Sequence, residues 1–254
     1  MPDSEAAIAA RLISCLDFTE LGDACTAEDV DKLLARVKTP AGYVAAVCVW
    51  PAFVAQCRAA LAGTPVRIAT VVNFPHGSEN YAGALDETRK AVADGADEID
   101  MVISRARIPS DPDFVTKQVA DFVQAAGGKR VKAILETGEM GSPGEVRIAS
   151  RAAIEGGASF IKTSTGKTAH GASLDAATAM LEEIGARGRN VGLKPSGGVR
   201  TLVDGKAYLD LADSIMGPGW ATPETFRIGA SGILTDLVAH LSGETPAPSG
   251  GGGY

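Results

Sequence analysis

Short runs of β-branched and other apolar residues alternate along the chain with longer segments in which apolar positions recur every three to four residues. The short runs predict strands near Ser14–Thr19, Tyr43–Trp50, Arg67–Asn73, Glu98–Ser104, Val131–Thr137, Phe160–Ser164, Val191–Pro195 and Phe226–Ala230. The longer segments predict an opening helix over Ser4–Ile13, then AEDVDKLLARVKT, YAGALDETRKAVADGA, DPDFVTKQVADFVQAA, PGEVRIASRAAIEGGA, SLDAATAMLEEIGARG, VDGKAYLDLADSIMG and GILTDLVAHLSG. Asp111 before Pro112 and Ser142 before Pro143 read as helix caps with proline in the first turn, and Gly127, Gly156 and Gly188 as helix stops. Strands separated by helices pair in parallel through right-handed crossovers. Eight such units in about 250 residues predict an α/β protein, a single closed (β/α)8 TIM barrel rather than an open doubly wound sheet. The expected barrel covers residues 1–242, with an extra N-terminal helix. The remainder, 243–254 (GETPAPSGGGGY), is expected to be a flexible tail.

With 254 residues, 45% of them hydrophobic, the chain can bury a large core without metals or disulfides. Glycine stands at 30 residues, well above the usual level of about 7%, so many turns and close backbone approaches need explaining. A net charge of −7 excludes a general nucleic-acid binder but leaves room for a local anion site. No apolar run reaches membrane-spanning length, and MPDSEAAIAARL lacks the basic start of a signal peptide. Cys15, Cys25, Cys48 and Cys57 form no CxxC pair and suggest no disulfide framework. A reduced, cytoplasmic protein is expected, with no membrane partner.

Three familiar motifs fail. STGKT (Ser164–Thr168) looks like the end of a P-loop, but Ile161 stands where the earlier glycine is required. GPGWAT (Gly217–Thr222) begins like a dinucleotide fingerprint, ends in threonine and follows no first strand. His76, His170 and His240 are scattered singly, so neither a metal nor a cofactor is called for.

Strand parity is more informative. Barrel strands point alternate side chains to the helices and to the interior. If Ile161, Leu193, Val47, Val49, Ile99 and Met101 face the helices, then Lys162, Lys194, Cys48 and Asp100 face inward with Glu98 and Val102. Asp17, between Leu16 and Phe18, faces inward too. A single lysine at a strand end ordinarily snorkels to solvent. Two on consecutive strands, roughly 6 Å apart, repel by about 2.8 kcal/mol at an effective dielectric near 20, or about two pKa units. Asp100 and Asp17 can offset that, and a lysine of depressed pKa is a nucleophile toward carbonyls.

Gly166-Lys167, SGGVR (Ser196–Arg200) and GASG (Gly229–Gly232) each lie just past a strand and ahead of a helix, where free amides can hold a phosphate. Loops after the last two strands of such barrels often do so, although each cluster taken singly is also ordinary loop chemistry. Together they favour a phosphorylated carbonyl substrate.

At this point AAVCVWP, RIATVVNFPHG, GADEIDMVI, ILETGE, FIKTSTGK, GLKPSGGVRT and FRIGASG, with a final tyrosine, resemble the deoxyribose-phosphate aldolases along essentially the whole chain. The resemblance implies a class I aldolase that cleaves 2-deoxy-D-ribose 5-phosphate reversibly to acetaldehyde and D-glyceraldehyde 3-phosphate without metal. It implies Lys162 as the Schiff-base lysine, Lys194 as the second lysine that lowers its pKa, and Asp100 as a proton relay with Lys194 through water. Asp17 would hold Lys194, and Cys48 would line the pocket, where it can equally be a small buried hydrophobe. Gly166, Lys167, Gly197, Gly198, Val199, Arg200, Gly229 and Ser231 would hold the phosphate. Tyr254 would move the proton at the enamine carbon. A homodimer or larger homo-oligomer accords with the family. Gly232, where a second serine can stand, and Trp50 in the pocket wall depart from some members. Two rival readings are a Schiff-base aldolase for another phosphorylated sugar and a sugar-phosphate-binding barrel without turnover.

Overall fold

A computed structural model describes residues 4–187 and 191–243. Gly188 and Tyr254, the latter with all of the tail beyond Gly243, lie outside the described residues. In chain order the elements are α1 (Glu5–Ser14), β1 (Leu16–Glu20), α2 (Ala27–Leu34), β2 (Lys38–Thr39), β3 (Gly42–Tyr43), β4 (Ala46–Val49), α3 (Val54–Ala60) and β5 (Arg67–Val72). Then come α4 (Ala82–Ala93), β6 (Glu98–Val102), α5 (Pro112–Ala125), β7 (Arg130–Ile134), α6 (Pro143–Glu155) and β8 (Phe160–Lys162). The chain continues with α7 (Leu174–Ala186), β9 (Gly192–Lys194), α8 (Leu202–Met216), β10 (Ile228–Ala230) and α9 (Ile233–Ser242).

Eight of these strands form one parallel sheet in the order β10-β1-β4-β5-β6-β7-β8-β9. Bridges Leu193↔Phe226 and Ser196↔Gly229 join its two ends, so the sheet closes on itself as the TIM barrel that the alternation predicts. Each predicted strand has its counterpart, generally shorter at the C-terminal end. The segment AEDVDKLLARVKT stops as a helix at Leu34, and Lys38–Thr39 turns into a two-stranded ribbon with Gly42–Tyr43. Helix α3 was not predicted, because a single turn or two carries too little periodicity to be seen.

The caps follow the sequence. Asp111 accepts from the Phe114 amide at 3.2 Å, and Ser142 from the Glu145 amide at 3.3 Å. Gly127 lies past α5 with φ +56°, as a helix stop should. Gly156 has another reason to be glycine. Its φ of −67° is ordinary, but a Cβ there would lie 2.7 Å from Val119 Cβ, so the absent side chain lets α6 pack against α5. The extra helix α1 packs in the same way. Gly205 of α8 leaves room for Leu12, and Arg11 grips Asp213 with two hydrogen bonds of 2.7 and 2.8 Å.

The core follows strand parity. Leu16, Phe18, Val47, Val49, Ile99, Met101, Ile161 and Leu193 join the layer between barrel and helices. Inside the barrel, Phe160 sits beside Gly192, whose Cβ would collide with its ring. No helix among the described residues is long and apolar enough to cross a membrane.

Candidate active site

Strands β1, β6, β7, β8 and β9 each turn at least one charged side chain into the barrel, where these groups meet. Lys162 of β8 pairs with Lys194 of β9, and Asp100 of β6 with Lys132 of β7. Asp100 is the hub. Its Oδ2 accepts from Lys194 Nζ at 2.7 Å and from Lys162 Nζ at 3.1 Å, while its Oδ1 accepts from Lys132 Nζ at 2.8 Å. Asp17 lies 2.5 Å from Lys194 Nζ and 3.2 Å from Lys132 Nζ. All are buried, Lys162 alone keeping a trace of exposure at 2%.

One layer deeper, Lys132 Nζ lies 2.6 Å from Glu98 Oε2. Arg227, just ahead of β10, donates to Asp17 Oδ1 at 2.5 Å and to Glu98 Oε1 at 2.9 Å. Without Lys162 the fully buried charges of the cluster balance: Asp17, Glu98 and Asp100 against Lys132, Lys194 and Arg227. A proton on Lys162 would add an uncompensated charge among these buried groups, which is costly in a low-dielectric interior.

The ionisation of each group follows. Burial, then the charge of Lys194, lowers the Lys162 pKa from its ordinary value, and Asp100 offsets only part of that. For Lys194 and Lys132 burial also acts downward, but the carboxylates around them win and raise both. Burial alone would raise Asp17 and Asp100. The surrounding cations reverse this and hold both well below the usual carboxylate range. One amine is therefore readied as a nucleophile while its neighbours stay charged.

Cys48 also faces inward, its Sγ 4.0 Å from Asp100 Oδ2, and burial raises its thiol pKa. It lies in a small apolar cluster with Leu21, Ala69 and Val71, against which Trp50 and Phe74 pack, their own two rings edge to face at 5.5 Å. Trp50 is fixed by its indole N–H donating to the Gly22 carbonyl at 3.0 Å, so it forms part of the wall beside Cys48.

A cavity of about 180 Å³ opens beside this cluster, lined by all the predicted glycine clusters: Gly166, then Gly197, Gly198, Val199 and Arg200, then Gly229 and Ser231. Gly166, Gly197 and Gly198 have φ of +82°, +81° and +88°, a region that side-chain-bearing residues rarely adopt. Gly229 is required for another reason: a Cβ there would stand 3.0 Å from Lys194 Cε and 2.8 Å from Ser196 Cβ. Gly232 is the N-cap of α9, brings no side-chain cap of its own and lines the cavity, so this helix starts at the cavity wall.

Lys167 departs from its expected place. Its ammonium donates to the Leu21 carbonyl at 2.7 Å and to Asp23 Oδ1 at 2.6 Å, and lies 5.7 Å over the Trp50 ring. It straps the loop after β8 to the loop after β1 and does not line the cavity. Lys132, Glu98 and Arg227 have no role among the expectations drawn from the sequence. The signal was present: Lys132 lies between Val131 and Ala133, and Arg227 between Phe226 and Ile228, each with inward parity.

A family model described as DeoC/LacD family aldolase matches residues 11–223. A deoxyribose-phosphate aldolase of Agrobacterium fabrum is 47% identical over 247 residues, covering 96% of this chain and 95% of that protein. Among solved structures, one described as the apo form of a deoxyribose-phosphate aldolase from Toxoplasma gondii ME49 superimposes with a TM-score of 0.83 at 25% identity, covering 94% of this chain and 97% of that one. A tetrameric deoxyribose phosphate aldolase from Aeropyrum pernix shares the fold with a TM-score of 0.75 at 23% identity, covering 93% and 92% of the two chains.

Proposed function

The chain belongs to the DeoC/LacD family of aldolases, and on that footing we propose that Lys162 is the amine through which it works. The reaction is that of a deoxyribose-phosphate aldolase: 2-deoxy-D-ribose 5-phosphate is cleaved reversibly to acetaldehyde and D-glyceraldehyde 3-phosphate. The observation that carries the residue assignment is the balanced cluster around Asp100, which leaves Lys162 alone without a matching charge.

In the cleavage direction the neutral Lys162 amine adds to the C1 aldehyde of the open-chain sugar, and the adduct loses water to give a protonated imine. Loss of the C3 hydroxyl proton breaks the C2–C3 bond. Its electron pair passes into the imine as an enamine, and glyceraldehyde 3-phosphate leaves. Protonation of the enamine carbon and hydrolysis release acetaldehyde and restore the amine. We assign the proton transfers to water held by Asp100 and Lys194, with Tyr254 as the other proton carrier to test. Asp17 anchors Lys194, and Cys48 with Trp50 forms the wall beside the two-carbon fragment. The phosphate is assigned to the cavity of Gly166, Gly197, Gly198, Val199, Arg200, Gly229 and Ser231. The enzyme is inferred to act in the cytoplasm as a homo-oligomer of one barrel domain per chain, residues 1–242.

Acetaldehyde and borohydride should leave a two-carbon adduct on Lys162, found by peptide mass spectrometry. Lys162→Leu should keep the fold and lose both adduct and turnover. Aldol activity retained in that variant defeats the assignment.

A further inference from the structure

Beneath Lys162 lies a buried guanidinium that no reacting atom touches. Arg227 is fully buried, and each face of it is engaged: Asp17 and Glu98 at one end, the Pro223 carbonyl at 2.5 Å from Nε, and the Phe160 ring 5.5 Å below. Its carboxylate partners are the same ones that hold Lys132 and Lys194. The groups facing the cluster are Asp17 from β1, Cys48 from β4, Glu98 and Asp100 from β6, Lys132 from β7, Lys162 from β8, Lys194 from β9 and Arg227 before β10. Arg67 and Arg130 approach Glu98 at 3.6 Å from the N-terminal ends of their strands, and both also meet Glu224.

We propose that Arg227 is a positioning residue for the aldolase reaction, supplying the third cation that balances the three buried carboxylates and so leaving Lys162 as the free amine. The inference rests on Lys162 being the nucleophile. A guanidinium suits the task because it stays charged at any working pH and its planar fork serves two carboxylates at once.

Charge counting gives the sign of each substitution. In Arg227→Met, three carboxylates face two cations, and the missing charge is made up by a proton on Lys162, the member nearest neutrality. A unit charge roughly 10 Å away at an effective dielectric near 20 moves a lysine by about one pH unit. In Glu98→Gln, two carboxylates face three cations and the shift is downward. Arg227→Lys keeps the charge, and the double variant Glu98→Gln with Arg227→Met restores the balance.

The test is the pH dependence of acetaldehyde trapping on Lys162 with cyanoborohydride, read by mass spectrometry. The midpoint should rise by about one unit in Arg227→Met, so that trapping on its acid side falls roughly tenfold. It should fall in Glu98→Gln, return in the double variant and hold in Arg227→Lys. A midpoint that stays fixed while trapping drops uniformly makes Arg227 a packing residue and overturns the proposal. Should Arg227→Met not fold, Glu98→Gln and Arg227→Lys decide alone: a lowered midpoint in the first and an unmoved one in the second support the proposal, and any other pair overturns it. Absence of label on Lys162 in the unsubstituted protein removes the nucleophile assignment and this proposal together. A labelled Lys162 with fixed midpoints removes only this one.

Discussion

Of the three lysines inside the barrel, Lys162 is the one whose folding releases a proton. Unfolded, it holds that proton up to its ordinary value of 10.5, whereas folded it gives the proton up at lower pH. Between those two values the unfolded chain binds more protons, so stability rises with pH, and at neutral pH this residue costs the fold free energy. Lys162→Met should therefore be more stable than the parent at pH 7, by about 0.5–2 kcal/mol, while being inactive. The difference should shrink toward zero as pH approaches 10.5. Urea melts of both proteins across that range check it, and a variant less stable at pH 7 would contradict the lowered pKa of Lys162. The sequence makes much of this legible at the level of single residues. Alternation within FIKTSTG, EIDMVIS and VGLKPSGG puts Lys162, Asp100 and Lys194 inside. Lys132 and Arg227 obey the same alternation but sit below the strand ends, where a search for chemistry does not look. The fate of the Lys167 ammonium depends on Asp23, a residue far away in the chain, and no local pattern encodes it.

Among the elements, the turn after β7 shows how backbone conformation and site are joined. The strand stops at Ile134 rather than running to Thr137 as predicted, because Glu136 takes φ +57°, a left-handed conformation that costs a non-glycine residue free energy. What the strain achieves is visible in its partners. The buried carboxylate accepts from the Thr165 hydroxyl at 2.5 Å and its amide at 3.2 Å, and from the Thr168 hydroxyl at 3.4 Å. Glu136 thereby shapes the loop that carries Gly166. Glu136→Ala should raise KM for the sugar phosphate by about tenfold, on the scale of one or two lost charged hydrogen bonds, with acetaldehyde trapping on Lys162 changed less than twofold. Steady-state kinetics beside the trapping assay separate the two, and equal losses would refute a role confined to the loop. Nothing in ILETGE announces a left-handed glutamate, since that conformation is imposed by tertiary hydrogen bonds. The caps at Asp111 and Ser142 are legible because their signals lie within four residues.

At the scale of the whole molecule, eight strand-helix units were countable in the chain, and their order around the barrel follows from short right-handed crossovers. How firmly the circle closes was not countable. β9 and β10 meet through two isolated bridges, with Arg227 N donating to the Leu193 carbonyl at 3.0 Å and Gly229 N to the Pro195 carbonyl at 2.9 Å. The glycine-lined cavity sits over this same junction, with Gly197–Arg200 on one bank and Gly229–Gly232 on the other. On the proposed phosphate assignment, an anion held by both banks would act as a clasp on a bracelet. Inorganic phosphate should slow amide hydrogen exchange at Arg227 and Gly229 while leaving the β5–β6 pairing unchanged, and a uniform or absent effect would break the analogy. On that assignment the ring would stay shut longer as substrate accumulates, and the unliganded protein would be the one more open to proteolysis along that line.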